Sequence, residues 1–267
     1  MIRNNHQLCL IVLLVMAALV ASCGNSNQYA RQHEDKQAKH LLQGIWLTED
    51  GETPVFMAKG DSIFYADSTS MPAKFWIYGD SLYVEGQQVA RYLIMKQAPH
   101  VFKFRNQAGD SVLFVKAPDM SLKQLFAQNR PYALNIFRTE DADTTARTSL
   151  GYFKSRIHIE STSDRVIKTT FNDWGVEVDN MYLDNVARLI VLSGNKIVYE
   201  HDFRKQEFAQ LVPDGFLQSC ILRDMSFSHA DEGALYYDVM IGIPDASTTY
   251  AIELRLGNDG KITKRLE

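Results

Sequence analysis

The chain lacks most of the sequence features by which enzymes, metal proteins and nucleic-acid-binding proteins are recognised. Its 267 residues include only three cysteines, and no HExxH or HxxxH pair places two metal ligands on one helix face. No Asp is followed by His three positions later, and no strand–helix–strand rhythm recurs. The formal net charge is −4, without a basic block. These absences argue against a helix-borne metalloprotease site, a doubly wound α/β fold and a nucleic-acid partner.

The one long hydrophobic run lies at the N-terminus. Arg3 precedes an uncharged apolar stretch from Leu8 to Leu19. A bilayer-spanning helix needs about 20 apolar residues, so this run is too short to cross comfortably. A basic residue, a short apolar run and then small residues are typical of a secretory signal. The sequence therefore predicts a signal peptide over residues 1–22.

Val20-Ala21-Ser22-Cys23, at the end of this run, resembles the bacterial lipobox. The resemblance implies cleavage before Cys23 and acylation of that cysteine, and two or more acyl chains anchor a protein stably. An ordinary secretory signal with a chance cysteine is the alternative. The resemblance to lipoproteins also implies an outer-membrane location, because Gly24 is not acidic. The first acids, Glu34 and Asp35, come late, which favours the periplasmic face over the cell surface. Residues 23–40 are interpreted as the lipidated cysteine and a polar tether.

Short aromatic and β-branched runs then follow one another as far as Lys116, separated by Gly, Asp, Asn or Pro. This pattern predicts a small antiparallel barrel or meander within a first domain at 41–137, with a short helix near 118–126. The eight predicted strands are Ile45–Leu47, Val55–Met57, Ile63–Tyr65, Lys74–Tyr78, Leu82–Val84, Tyr92–Met95, Val101–Phe104 and Val112–Val115.

The opening Leu42-Gln43-Gly44-Ile45-Trp46 resembles the Gly-x-Trp start of lipocalin-like barrels. The resemblance covers roughly residues 42–117 and implies a small barrel whose base is closed by Trp46. It transfers no ligand-binding residue. The whole chain is similar in style to two-domain lipoproteins of Bacteroides-type bacteria, which combine a lipobox, a polar tether and β domains. That similarity implies no activity.

Residues 79–82 spell GDSL, the motif that names a family of serine hydrolases. The chain also contains Gly60-Asp61-Ser62 and Gly109-Asp110-Ser111, each followed by three apolar residues like Gly79-Asp80-Ser81. Gly and Asp favour turns, and the Ser leads into an apolar run. Three copies predict three hairpin turns, and Ser81 is not assigned as a nucleophile.

Residues 138–148 contain no large apolar side chain and are interpreted as a linker to a second β domain at 149–267. Hairpin turns are predicted at Ser193–Lys196 and Asn258–Gly260, and one short helix is predicted at 203–211. Strands dominate throughout, so the predicted fold class is mainly β, with a barrel or meander followed by an antiparallel β domain.

Few residues of the second domain suggest chemistry. Glu200, His201 and Asp202 are adjacent, but alternate residues of a strand point to opposite faces. On the same grounds His158 should face water, between two core-facing isoleucines. The acids Asp173, Glu177, Asp179 and Asp184 suggest a calcium site, or more simply a half-exposed strand with its polar residues outward. Cys220 lies in an apolar stretch and is interpreted as a buried thiol.

These observations favour a membrane-anchored, non-catalytic binding or envelope-accessory lipoprotein. It would hold a small apolar ligand, a glycan or a protein in a barrel cavity or on an exposed β face. No catalytic residue, metal or cofactor is assigned, and Cys23 is the one site residue. The alternative is a hydrolase of an unfamiliar class, acting for example on glycans, with its site assembled from dispersed carboxylates. A structural role in an outer-membrane complex is a third hypothesis.

Overall fold

The computed structural model describes residues 27–128, 131–135 and 138–267. The predicted signal peptide and Cys23 lie outside these residues. The chain divides into two units. The first runs to Arg130 and includes the separate segment Thr169–Asp179, and the second comprises Pro131–Lys168 and Asn180–Glu267. No helix within the described ranges has the length and hydropathy needed to cross a bilayer.

The first unit contains a closed, eight-stranded antiparallel barrel in which neighbours along the chain are neighbours in the sheet. Strand β1 pairs with both β2 and β8, which closes the ring. All eight predicted strands are confirmed. They are β1 (Gly44–Leu47), β2 (Pro54–Lys59), β3 (Ser62–Tyr65), β4 (Ala73–Tyr78), β5 (Ser81–Glu85), β6 (Val89–Ala98), β7 (Val101–Arg105) and β8 (Ser111–Lys116).

The three Gly-Asp-Ser copies are confirmed as hairpin turns. Ser62, Ser81 and Ser111 are the first residues of β3, β5 and β8. The glycine of each copy has a positive φ, between 59° and 92°. Glycine adopts this left-handed region without the Cβ clash that other residues meet. The motif therefore serves the backbone of the barrel.

The predicted polar tether is wrong from residue 27 onward. Residues 27–32 are helical, and helix α1 (Lys36–Leu42) follows, with Asp35 capping its first turn. Ala30 of this polar segment packs onto the barrel, where it is 2% exposed against an outer-face aromatic cluster. Leu42, at the end of α1, is fully buried in the barrel core. The backbone N–H of Asp35 also donates to the carbonyl of Ile77 in β4.

After the barrel a short helix α2 (Lys123–Gln128) confirms the predicted helix, and Asp119 accepts a hydrogen bond from the N–H of Ser121 just before it. The predicted linker at 138–148 is wrong. Thr139–Thr148 is a strand, β9, fully paired with β10. It reads as a linker because most of its side chains are exposed, so strand pairing rather than burial determines its structure.

The second unit is built from two four-stranded antiparallel sheets, in the orders β12-β11-β10-β9 and β13-β14-β15-β16. Both sheets contribute to one hydrophobic core, and we call this structure the sandwich. The predicted short helix is present as a 3-10 helix at Lys205–Leu211, with a second at Phe216–Gln218. The strands are β9 (Thr139–Thr148), β10 (Gly151–Phe171), β11 (Glu177–Ser193), β12 (Lys196–Phe203), β13 (Ile221–Ala230), β14 (Ala234–Gly242), β15 (Thr249–Gly257) and β16 (Ile262–Leu266).

The hairpin of β10 and β11 is the longest in the chain, and its tip belongs to the barrel unit. The boundary falls at Thr169 on one strand and Asp179 on the other. Val178, near this tip, is 5% exposed and is part of the barrel core. A division into consecutive domains at residue 137 or 149 therefore does not describe the chain.

Candidate ligand pocket at the end of the sandwich

The interior of the barrel is filled by its own aromatic side chains. Phe104 illustrates the packing, with its ring centroid 5.6 Å from Tyr92, 5.6 Å from Phe102 and 5.7 Å from Phe114. One gap among these rings has a volume of about 30 Å³. A water molecule occupies roughly 30 Å³ in the liquid, so the gap has no room for a larger ligand. The buried aromatic residues of this core are Trp46, Phe56, Tyr65, Phe75, Tyr92, Phe102, Phe104 and Phe114.

Trp46 has no solvent exposure and is fixed in position by its polar atom. Its indole N–H donates to the carbonyl of Leu42 at 2.7 Å. The ammonium of Lys116 lies 4.8 Å from the indole centroid and donates to the carbonyl of Leu41. Trp46 therefore joins helix α1, strand β1 and strand β8.

The tip of the long hairpin covers the barrel interior from another side. Trp174 packs edge-on against Phe114 at 6.1 Å, and Val176 borders the 30 Å³ gap. The side chain of Asn106 donates to the carbonyl of Trp174, and the N–H of Glu177 donates to the Tyr92 hydroxyl at 2.8 Å. Trp174 is half-buried on the barrel.

The sandwich, in contrast, is open at one end. A pocket of about 390 Å³ lies among the ends of its strands. Pockets that hold small molecules are typically 300–1,000 Å³ and mostly apolar, with a few polar groups that orient the ligand. The lining fits that description. The apolar wall consists of Leu150, Phe153, Val191, Val198, Tyr199, Leu235 and Leu256, and the polar part of Thr148, Ser193, Asn258 and Asp259.

A β-bulge shapes one wall of the pocket. Val191 pairs with Tyr199, while the next residue, Leu192, pairs with Ile197, so that Val198 is the extra residue. A bulge re-aims side chains locally and breaks strict alternation. Val198 and Tyr199, although adjacent, therefore both line the pocket, and Ile197 does not.

Hydrogen bonds between turns fix the pocket's other side. The side chain of Asn258 donates to the Ser149 hydroxyl at 3.1 Å and to the Glu232 carbonyl at 2.9 Å. The backbone N–H of Asn258 donates to the carbonyl of Gly233. One asparagine thus connects the β9–β10, β13–β14 and β15–β16 turns, so the opening is held by structured backbone.

Asp259 is the only charged side chain among the residues that line the pocket. A hydrogen bond from the N–H of Lys261 lowers the pKa of this carboxyl, so it remains ionised at neutral pH. Leu150 and Val198 at the opening are 63% and 44% exposed. The site therefore offers an apolar surface with one negative charge at its rim.

The adjacent Glu200, His201 and Asp202 do not form a joint site. His201 lies 3.1 Å from Glu207, and Asp202 accepts two hydrogen bonds from Arg188. His158 faces outward, as predicted, between Ile157 and Ile159, which are 4% and 2% exposed. Its ring contacts Asp141 at 2.7 Å, which raises the pKa of the imidazole.

Ser81 is buried and is hydrogen-bonded to two charged neighbours. Its hydroxyl donates to Asp80 at 2.8 Å and accepts from the guanidinium of Arg91 at 2.9 Å. A serine nucleophile needs a general base within hydrogen-bonding reach, and these neighbours include no histidine. These contacts support a turn role for this Gly-Asp-Ser copy.

The sequence reading of Asp184 as an outward residue is wrong. Asp184 is 3% exposed and lies 3.4 Å from the ammonium of Lys205, which is 7% exposed. Burial raises the pKa of the Asp184 carboxyl, although Lys205 and the N–H groups of Leu222 and Asn185 oppose the shift. Lys205 also donates to the carbonyl of Cys220 at 2.6 Å. Cys220 is confirmed as a free, buried thiol. Asp173 and Glu177 lie at the hairpin tip instead.

In the part of the chain that the structure describes, no three His, Cys, Asp or Glu side chains are grouped as metal ligands would be. The pocket was not predicted from the sequence. Its lining comes from six strands and two turns that are distant along the chain, and only the Asn258–Gly260 turn carries a local signal.

The chain is thus a two-unit antiparallel β protein, with a filled barrel followed by a sandwich that carries a pocket. A family model described as a domain of unknown function, DUF4738, matches residues 121–264. The match covers more than half of the chain, so the chain belongs to this family. No curated protein sequence shows significant similarity to it. All residues that line the pocket lie within the matched segment.

Proposed function

We propose that this chain is a lipid-anchored cell-envelope protein whose sandwich binds a small, largely apolar ligand without chemically changing it. The observation that carries the proposal is the 390 Å³ pocket, against a gap of about 30 Å³ among the aromatic rings of the barrel. The proposed binding site is therefore in the sandwich rather than in the barrel cavity that the lipocalin-like resemblance suggests.

The character of the lining supports binding over catalysis. Its one ionised side chain, Asp259, lies in a turn beside Lys261, and the other polar groups are hydroxyls and an amide. General acid–base catalysis uses a proton-transferring group with a pKa near the working pH. The lowered pKa of Asp259 does not suit that task. An uncharged or amphipathic ligand matches the apolar wall best.

The anchor rests on the lipobox-like sequence. Acyl chains on Cys23 would hold the protein at the outer membrane, on its periplasmic face. Metabolic labelling with a clickable palmitate tests this directly, because Cys23→Ala removes the proposed acylation site. We expect labelling of the parent chain and none of the variant, and globomycin should shift the labelled parent to a higher mass because residues 1–22 are retained. Equal labelling of both would refute the anchor.

The pocket is tested with the neutral fluorescent probe N-phenyl-1-naphthylamine and two variants of neighbouring residues. Val198→Trp places an indole in the pocket, whereas Ile197→Trp adds the same bulk on the outer face of the same strand. We expect the parent and Ile197→Trp to bind the probe, and Val198→Trp to lose most of the binding. Equal binding by both variants would show that the probe does not occupy this pocket.

A further inference from the structure

The N-terminal segment and the outer face of strand β4 form one continuous surface on the barrel. Side chains alternate along a strand, so Lys74, Trp76 and Tyr78 share the outer face. Ala30, 2% exposed, packs against Trp76 and Tyr83. Beside it Tyr29 meets Tyr78 edge-on at 5.9 Å, and the guanidinium of Arg31 lies 5.3 Å from the centroid of Trp76.

Tyr29, which packs against Tyr78 of β4, lies six positions after Cys23 in the sequence. Six residues span at most about 20 Å when fully extended. Because residues from Tyr29 onward are docked, they cannot act as additional tether. An acylated Cys23 would therefore keep this face within about 20 Å of the lipid headgroups.

The surface has the chemistry of a membrane interface. Tyr29 and Tyr78 are 52% and 37% exposed although both are large and aromatic. Tyrosine is enriched at membrane–water interfaces, where its ring and hydroxyl meet apolar and polar surroundings. No other pair of exposed aromatic side chains within the described barrel residues lies beside the start of the docked segment.

A charged groove of about 220 Å³ lies in the same surface. Lys39 is neutralised there by Glu34 at 2.7 Å and Asp61 at 2.6 Å, and Arg31 pairs with Glu85 at 3.1 Å. Lys74, which also lines the groove, has no ion pair within 4 Å among the described residues. The groove thus offers an ammonium for a phosphate beside carboxylates for an amine, which matches a zwitterionic headgroup.

We infer that this surface, defined by Tyr29, Tyr78, Arg31 and Lys74, rests on the phospholipid headgroup layer of the membrane that holds Cys23. The inference depends on the anchor in the proposed function. It adds that the barrel is an orienting base, held flat on the bilayer by two tyrosines and a headgroup-binding groove, rather than a domain on a free tether.

The test uses the lipidated full chain in vesicles of phosphatidylethanolamine and phosphatidylglycerol that contain a headgroup spin-labelled lipid. A fluorophore is attached at Gln32→Cys, on the surface, or at Ser111→Cys. Ser111 begins β8, which lies four strands from β4 around the eight-stranded ring. Cys220 is buried and does not compete for the label. We expect the spin label to quench the Gln32 fluorophore several-fold more than the Ser111 fluorophore.

The double variant Tyr29→Ser, Tyr78→Ser removes the aromatic pair without touching the barrel core. It should bring quenching at position 32 close to the value at position 111, while palmitate labelling stays unchanged. If the parent carries palmitate but the two positions are quenched equally, the membrane contact of this surface is refuted and the anchor is not. Full quenching at position 32 in the double variant would also refute that contact, because the short connection would then suffice. Absence of palmitate on the parent would refute the anchor, and the surface with it.

Discussion

The barrel and the sandwich each contain eight antiparallel strands, but the barrel interior is filled whereas the sandwich contains an open pocket. The barrel closes on itself, fills with rings such as Trp46 and Phe104, and is covered by the hairpin tip that carries Trp174. The sandwich keeps two separate sheets, includes the ion pair of Lys205 and Asp184 in its interior, and leaves one end open. The closed barrel resembles a ligand-carrying protein, but the pocket with space for a ligand lies in the sandwich.

The difference shows that barrel closure alone does not create a binding site. A small eight-stranded barrel is just wide enough for its own side chains, and here large aromatic residues use that width. In the sandwich, the pocket is bordered by a bulge at Val198 and by turns that Asn258 joins. Irregular positions, rather than regular strands, produce the candidate site.

The same phenylalanine-to-alanine substitution in both interiors should reveal the largest difference between the filled barrel and the open sandwich. Phe104 in the barrel is 2% exposed, whereas Phe153 borders the pocket and is only partly buried. Truncating a fully packed phenylalanine leaves a cavity and costs about 3–5 kcal/mol. We expect Phe104→Ala to lower the free energy of unfolding by about that amount. Phe153→Ala should cost only about 1–2 kcal/mol, because one side of its ring is already open.

Two intrinsic reporters separate these effects in denaturant titrations. All three tryptophans, Trp46, Trp76 and Trp174, belong to the barrel unit, so their fluorescence follows the barrel. Cys220 is buried in the sandwich, so in a Cys9→Ala, Cys23→Ala background its reaction with a maleimide follows the sandwich. If Phe153→Ala lowers the free energy of unfolding as much as Phe104→Ala does, the pocket wall is packed as tightly as the barrel core.

Much of this fold follows from local sequence. The eight barrel strands are short runs rich in aromatic and β-branched residues, separated by turn-forming residues, and both signals act over a few residues. The Gly-Asp-Ser turns are identified by the same logic. Strand β9 shows the limit, since residues 138–148 are mostly exposed and only pairing with β10 makes them a strand. The prediction of a polar tether is wrong for a similar reason, because the burial of Ala30 against the barrel is not visible in a segment that is otherwise polar.

The candidate site is harder to predict because its parts meet only in three dimensions. Leu150, Val198 and Leu256 come from different hairpins, and each is an ordinary strand or turn residue in its local sequence. The same holds for Asp184, whose partner Lys205 lies 21 positions away in a segment predicted only as a short helix. Long-range pairing leaves no short-range periodicity, so residue patterns identify the elements but not the pocket.

The ionisable groups in the sandwich core predict a pH effect. Burial raises the pKa of the Cys220 thiol from 9.0 to about 11. Between these values the unfolded chain has lost the thiol proton while the folded chain keeps it, so stability falls as pH rises. We expect the parent to lose about 2 kcal/mol more than Cys220→Ala between pH 8 and pH 10.5. Urea titrations at both values measure this difference. If the free energy of unfolding falls equally in the parent and in Cys220→Ala, the buried thiol does not contribute to the pH dependence of stability.

The smallest effect concerns the hairpin tip that covers the barrel. Gly175 has φ of +67°, and an added Cβ would clash with the side-chain nitrogen of Asn106, which donates to the Trp174 carbonyl. Gly79, with φ of +59°, has nothing within 4 Å of an added Cβ. Both alanine variants should lose about 1 kcal/mol from left-handed strain, and Gly175→Ala about 1 kcal/mol more because the tip must shift. Tryptophan fluorescence in urea measures both variants in the barrel unit. Equal losses in the free energy of unfolding would mean that the tip shifts at no energetic cost. The hairpin tip would then cover the barrel more loosely than its contacts indicate, which would weaken the contrast between a closed barrel and an open sandwich.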